Sequence, residues 1–217
     1  MRPDIAYSAM WLGQYNAKLT HTHFFTAKHV LRYLSGTRQL ALCLVSLSSQ
    51  VPSSLCGYLQ NMGCSDADWV SDAVDRKSIS GYSFYFEGSL ISWSDVKQKT
   101  IALTEAEYYA MSHAFKEALW LHAFLMFLDF PVPCPFPILS DNQAACSLSH
   151  SLAISACSKH IDIRHHFIRE HVQSGSFSTT WVPTEDMPAD LFTKSLSFPI
   201  FSRHHDVLGL SIPPFLS

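Results

Sequence analysis

The stretch Gly63-Cys64-Ser65-Asp66-Ala67-Asp68-Trp69 decides how the rest of the chain is read. It sets two carboxylates two residues apart, directly after a turn and before a large aromatic. In an extended strand, Asp66 and Asp68 project from the same face. Two negative charges on one face of a central strand are costly unless a cation lies between them. The stretch therefore predicts a strand that carries a cation site, and the segments around it should bring further acids to the same place.

Downstream, the pattern is that of a strand meander. Ile79–Phe86 is rich in aromatics, Glu87-Gly88 forms a hairpin turn, and Ser89–Ser94 returns, with a third strand resuming around Lys99–Leu103. A long helix is expected from Thr104 to about Leu128. Ala106, Ala110, Ala114, Ala118, Leu121, Leu125 and Leu128 trace one of its faces at helical spacing. Glu107 falls on that inward face, and a carboxylate aimed at a core needs a partner. The proline-rich run Phe130–Pro137 cannot be helix interior, and it delivers the chain into Ile138-Leu139-Ser140-Asp141. A strand reached through a helical crossover is normally parallel to its predecessor, which puts Asp141 at a strand's carboxyl end. A further helix is expected over His160–Val172, a last strand over Phe177–Val182, a helical segment over Pro188–Lys194 with Asp190 in its first turn, and a loose apolar helix over Ser197–Leu210.

Upstream, residues 5–15 and His23–Leu34 read as two helices, the second with Phe24, Ala27, Val30, Leu31 and Leu34 on its inward side. Two short helices make a poor independent core. The polar, proline-containing run Ser46–Ser54 marks a boundary. The expected division is a tail over 1–45, a linker over 46–54, a main domain over 55–196 and an extension over 197–217.

Hydrophobic residues make up 47% of the 217, enough for a packed core, which excludes a disordered chain. A net charge of -3 excludes a broadly basic nucleic-acid grip, so any such grip is local or shared. The six cysteines form no CxxC pair, so free thiols in a reducing compartment are expected rather than zinc or disulfides. No leader and no apolar run of spanning length is evident, and the expectation is a soluble intracellular protein, in the cytoplasm (within a virus-like particle) or the nucleus.

The tally is three antiparallel strands, a helix, a parallel strand, more helices, a fifth strand and a closing helix, an α/β mixed sheet. Acids fall at Asp66, Glu107, Asp141 and Asp190. An all-oxygen cluster selects hard divalent cations, magnesium first and manganese second. Two such ions about 3.5–4 Å apart can clamp a scissile phosphate for in-line displacement. Each acid also has a plainer reading: Asp68 as a cap or support, Glu107 and Asp190 as first-turn acids, Asp141 as the cap of the helix that follows. Arg76, Lys77, Lys97 and Lys99 are candidates for phosphate contact or simply a solvated face. His160, His165 and His166 fit no metal-ligand spacing and are expected at the surface. Trp69, Trp93 and Trp120 are expected in the core.

Ser65–Trp69, Asp75–Tyr82, Ile91–Ser94 with Lys97–Thr100, Thr104–Tyr108, Ser140–Gln143, Ser158–Arg164 and Ala189–Lys194 occur in the order found in one known family. From about Leu55 to Leu210 the chain resembles the ribonuclease H domain of copia-type long-terminal-repeat retrotransposon Pol polyproteins. Arg2–Tyr7 and Leu31–Thr37 resemble the end of the preceding reverse transcriptase. The resemblance implies a ribonuclease H-like five-stranded sheet, three antiparallel strands then parallel ones, flanked by helices. It implies a magnesium-dependent endonuclease that cuts the RNA strand of an RNA–DNA hybrid, with the reverse transcriptase of the same element as a partner. Asp66, Glu107, Asp141 and Asp190 match the family's metal-binding acids, in an order that separates it from integrases. Asp68, Arg76, Lys77, Lys97, Lys99, Asn142 and Gln143 are the corresponding substrate-binding candidates. Two departures stand out. Leu103 runs straight into Thr104 where the family has two more small polar residues, and the polymerase's paired aspartates are absent. They make an inactive remnant, or a module adapted to binding, the alternative expectation.

Overall fold

The computed structural model describes residues 2–44, 61–68, 77–98, 103–151 and 159–213, with only the backbone at 103–105 and 159–162. The chain enters through helices α1 (Ala6–Gly13) and α2 (His21–Gly36) and a short strand β1 (Ala41–Leu42). Strands β2 (Asn61–Asp68), β3 (Ile79–Phe86) and β4 (Ser89–Lys97) follow, then α3 (Leu103–Phe127) and β5 (Phe136–Ser140). The last part holds α4 (Gln143–His150), α5 (Lys159–Gln173), β6 (Phe177–Trp181), a 3-10 turn at Pro188–Phe192, α6 (Phe198–Val207) and β7 (Leu210–Ser211).

Five strands form one mixed sheet in the order β4-β3-β2-β5-β6. β2, β3 and β4 are antiparallel, whereas β5 and β6 run parallel to β2. This is the five-stranded arrangement expected from the sequence. The β3–β4 turn places Glu87 and Gly88 at φ 49° and 76°, the double left-handed geometry that matches the twist of a two-residue hairpin. β4 is longer than expected, because its pairing continues until Lys97 meets Ile79. Leu103 belongs to α3 rather than to a strand, while residues 99–102 and the strand expected at Leu55–Leu59 lie outside the described residues.

Each face of the sheet has its own core. On one side, Phe84, Ile138 and Phe177 pack against Met111 and Phe115 of α3 and Ile168 of α5. On the other, Met62, Cys64, Tyr85 and Leu139 pack under Phe192 of the 3-10 turn and under Val207 and Leu208. Ala106, Ala110, Ala114, Ala118 and Leu121 are buried as their spacing requires. Beyond Leu121 the helix leaves the sheet. Leu128 is exposed, and Trp120 is exposed too, stacked on Phe124 instead of entering the core as expected. Trp93 is half-buried against the second core, and Trp69 lies outside the described residues.

The N-terminal helices are held chiefly by polar contacts. No residue of α2 is fully buried, and Phe24 and Leu31, expected on its inward side, are exposed. Arg2 Nη2 donates to Asp4 Oδ2 at 2.7 Å, the Tyr33 hydroxyl donates to the same oxygen at 2.7 Å, and Arg2 Nη1 donates to the Thr37 carbonyl at 2.9 Å. β1 pairs antiparallel with β7, Ala41 opposite Ser211 and Leu42 opposite Leu210. The tail and the C-terminal extension therefore share a second, two-stranded sheet, and the linker expected at 46–54 lies outside the described residues. Cys43, Cys64, Cys134 and Cys146 carry free thiols.

Candidate metal centre

Strand register brings the first two acids together. β2 and β5 are parallel, with Gly63 opposite Ile138 and Cys64 opposite Leu139. Asp66 and Asp141 each lie two residues further on, so they stand at the same level of neighbouring strands. Asp66 is buried and Asp141 half-buried.

The third acid arrives from above the sheet. Gly81 of β3 stands opposite Asp66, and the 3-10 turn comes down on it. A Cβ at Gly81 would lie 2.7 Å from Thr193 Cγ2 and 2.9 Å from Phe192 Cβ. Only a residue without a side chain admits the turn so closely. Asp190 is thereby buried beside Asp66, and one carboxylate oxygen from each of Asp66, Asp141 and Asp190 lies within 4.8 Å of the others.

Glu107 sits in the first turns of α3, next to Ala106 and Ala110, which close against Ala67 of β2. Buried Gln98 fixes that end of the helix. Its amide donates to the Ala106 carbonyl at 2.8 Å and to Ser80 Oγ at 2.6 Å. Glu107 is not one of the closely spaced trio, yet it lies within their field. Burial and the charges of Asp66 and Asp141 push its pKa up to about 8, against a hydrogen bond from Asn142.

The other carboxyls show the same unneutralised field. Burial raises Asp66 above the usual carboxylate range and Asp141 adds to this, against the Lys194 ammonium and the Thr193 hydroxyl. Burial and Asp66 push Asp190 up to about 8, opposed by Lys194. The Thr193 hydroxyl donates to Asp66 Oδ2. Lys194 Nζ is 2.9 Å from Asp190 Oδ1 and 3.7 Å from Asp66 Oδ2. Buried Asp190 Oδ1 thus has the Lys194 ammonium as its close neighbour. An all-oxygen set of closely spaced carboxylates fits a hard divalent cation.

Asp141 does not cap the helix after it. Asn142 does, with Oδ1 accepting from the Ala145 amide at 2.8 Å. The Asp141 carboxylate instead accepts from the Thr184 hydroxyl at 2.7 Å, and its carbonyl accepts from the Trp181 indole at 3.0 Å. Asp68 is half-buried at the end of β2 and contributes to the field on Asp66. Lys97 donates to Gln14, just after α1. Lys77 is half-buried and Gln143 is exposed at the start of α4, whereas Arg76 and Lys99 lie outside the described residues. His165 packs at a tilt on Tyr108 with ring centroids 3.9 Å apart, His166 is exposed, and the His160 side chain is not among those described. Reading by sequence assigned no role to Gly81, Gln98, Thr193 or Lys194. The available signal was the spacing of Asp190 and Lys194, an acid and a base one helical turn apart.

The strand order, with helices flanking the sheet and a carboxylate cluster where β2 and β5 run side by side, defines a ribonuclease H-like α/β fold. No family model matches the chain. It is 36% identical over 211 residues, 96% of its length, to the retrovirus-related Pol polyprotein from transposon TNT 1-94 of Nicotiana tabacum. It is likewise 36% identical over 216 residues to the Pol polyprotein from transposon RE2 of Arabidopsis thaliana. The chain belongs to the copia-type retrotransposon Pol polyproteins, and it spans 14–15% of the length of these two relatives. It is also 40% identical over 122 residues to secreted RxLR effector protein 161 of Plasmopara viticola, covering 55% of this chain and 80% of that protein. Among solved structures, RNase H1 from Halobacterium salinarum superposes with a TM-score of 0.47 at 14% identity, over 61% of this chain and 93% of that one. Among the described residues, no helix is long and apolar enough to cross a membrane.

Proposed function

We propose that the chain is a divalent-metal-dependent endonuclease that hydrolyses the RNA strand of RNA–DNA hybrids during retrotransposon reverse transcription. The observation that carries this reading is the convergence of Asp66, Asp141 and Asp190 within 4.8 Å, with Glu107 in their field. Asp66, Glu107, Asp141 and Asp190 would hold magnesium or manganese, which supplies Lewis acidity at the scissile phosphate and an activated water. The chain's own work is positioning. Thr193 orients Asp66, Thr184 orients Asp141, and Gln98 fixes the helix end that carries Glu107. Asn142 at the helix start and Asp68 near Asp66 would meet the substrate strand, whose 2′-hydroxyls distinguish RNA from DNA. The near-neutral chain supports a shared grip, with the reverse transcriptase of the same element supplying further contacts.

The test is incubation of the protein with an end-labelled hybrid and magnesium. Cleavage confined to the RNA strand is expected, with a loss of at least about a hundredfold in Asp66→Asn and in Asp141→Asn. Cleavage that survives both changes would sink the reading. A second reading, a fold adapted to binding without cutting, draws on Glu107 standing outside the close trio and on the short effector relative. It predicts retention of the hybrid on a filter with no cleavage at any magnesium concentration.

A further inference from the structure

We propose that Lys194 is the resident counter-cation of the acid centre: its ammonium holds Asp66 and Asp190 together in the metal-free protein, and a divalent ion binds by displacing it. The inference rests on the metal-dependent reading above and concerns a residue that reading does not use.

Three features of the structure point to it. The first is placement. Nζ lies between two buried carboxylates from different elements, 2.9 Å from Asp190 and 3.7 Å from Asp66. A lysine serving only the phosphates of a substrate would extend towards solvent, but this one is turned in. The second is fixation. Lys194 directly follows Thr193, whose hydroxyl is bonded to Asp66, and stands one turn after Asp190. The backbone thus delivers the ammonium between the same two acids it pairs with. The third is an exit. Lys194 also lines a half-open groove of about 370 Å³ between α1, α2 and α6, bordered by Tyr33, Ser195 and Phe201. A side chain expelled by an incoming ion can swing into that space while the sheet and the 3-10 turn stay in place.

Charge makes the exchange necessary. With its positive charge in place the cluster is partly neutralised, and a divalent ion must compete with that charge for the same oxygens. Removing the ammonium should therefore weaken the metal-free fold and strengthen metal binding, a combination that neither a packing role nor a phosphate-binding role produces.

The test compares wild type, Lys194→Met and the exposed-site control Lys116→Met, with thermal unfolding in chelator and in magnesium and manganese binding by calorimetry. Lys194→Met should unfold at a lower temperature than wild type in chelator, the gap should close in magnesium, and manganese should bind at least about tenfold more tightly. Equal unfolding temperatures in chelator with equal manganese affinity would overturn the role of Lys194 and leave the nuclease reading intact. No manganese uptake by any of the three proteins would overturn both. Should Lys194→Met not fold, the wild type decides by nitrogen NMR of its lysine ammonium groups. A slowly exchanging Lys194 signal in chelator that disappears with magnesium supports displacement, and a signal that persists once the metal is bound refutes it.

Discussion

Asp66 is bonded by Thr193 and faces Gly81 across the β2–β3 ladder, and these contacts depend on one another. The Thr193 hydroxyl reaches Asp66 only because the turn carrying it rests on a residue with no side chain. Gly81→Ala puts a carbon 2.7 Å from the Thr193 methyl and 2.9 Å from Phe192 Cβ, and buried Phe192 has little room to retreat. The change should cost on the order of 1–3 kcal/mol in urea unfolding, the range for overpacked cores. Gly13→Ala, at a helix position with nothing within 4 Å, should instead leave stability unchanged or raise it by up to about 1 kcal/mol. Equal effects at the two sites would mean that the turn does not depend on Gly81. The acids themselves were legible in the sequence, because strand alternation and a parallel crossover set the level of Asp66 against that of Asp141. Thr193 and Lys194 were not. Their partner lies 127 residues away for Thr193, and no local pattern says that a 3-10 turn will settle over one particular glycine.

Among the elements, α6 carries a pH response. His204 is fully buried there, and neither ring nitrogen has a hydrogen-bond partner among the described residues. Burial pushes its pKa down to about 4, helped by Arg203 and Lys194 and opposed by Asp186. A histidine whose pKa is lowered on folding contributes stability that is fully present above its unfolded value near 6.5 and is lost as pH falls through about 4. Over that window the loss should approach about 3 kcal/mol. His204→Leu should flatten this part of the stability profile measured by chemical denaturation, and an unchanged slope would refute the assignment. The elements also divide by how well pattern predicts them. The β3–β4 hairpin and the alanine face of α3 were legible because alternation, a two-residue turn and a fourth-residue repeat are local signals. The inward face assigned to α2 holds only in part, with Ala27, Val30 and Leu34 half-buried, and for a physical reason. Amphipathic spacing marks a face but cannot supply a surface to cover it, and Phe24 and Leu31 meet solvent. Leu128 fails because α3 outruns the sheet that buries its first half, and Trp120 because it stands on the side of the helix turned away from buried Ala118 and Leu121. The expected helix over Ser197–Leu210 ends at Val207, where Gly209 at φ 73° turns the chain into β7.

For the molecule as a whole, the five strands, three antiparallel and then parallel ones, followed from the sequence, but the attachment of the N-terminal segment did not. Two helices without a buried face are held because Asp4 gathers Arg2 and Tyr33, Tyr33 meets Phe201 edge-on, and β1 pairs with β7. Ala6 and Leu42 also cover the core beneath Phe192. Removing residues 1–44 should therefore lower the thermal midpoint by several degrees, as expected for a loss of about 1–2 kcal/mol. A midpoint that does not move would make the segment a passive tail. The contact between Thr193 and Asp66 has one more consequence, in time rather than space. A ribosome adding about 5–20 residues per second needs roughly 6 to 25 s to make the 127 residues that separate them. Until then the strand bearing Asp66 exists without the turn that completes its acid cluster. A growing chain can therefore complete that centre only after Thr193 has been made.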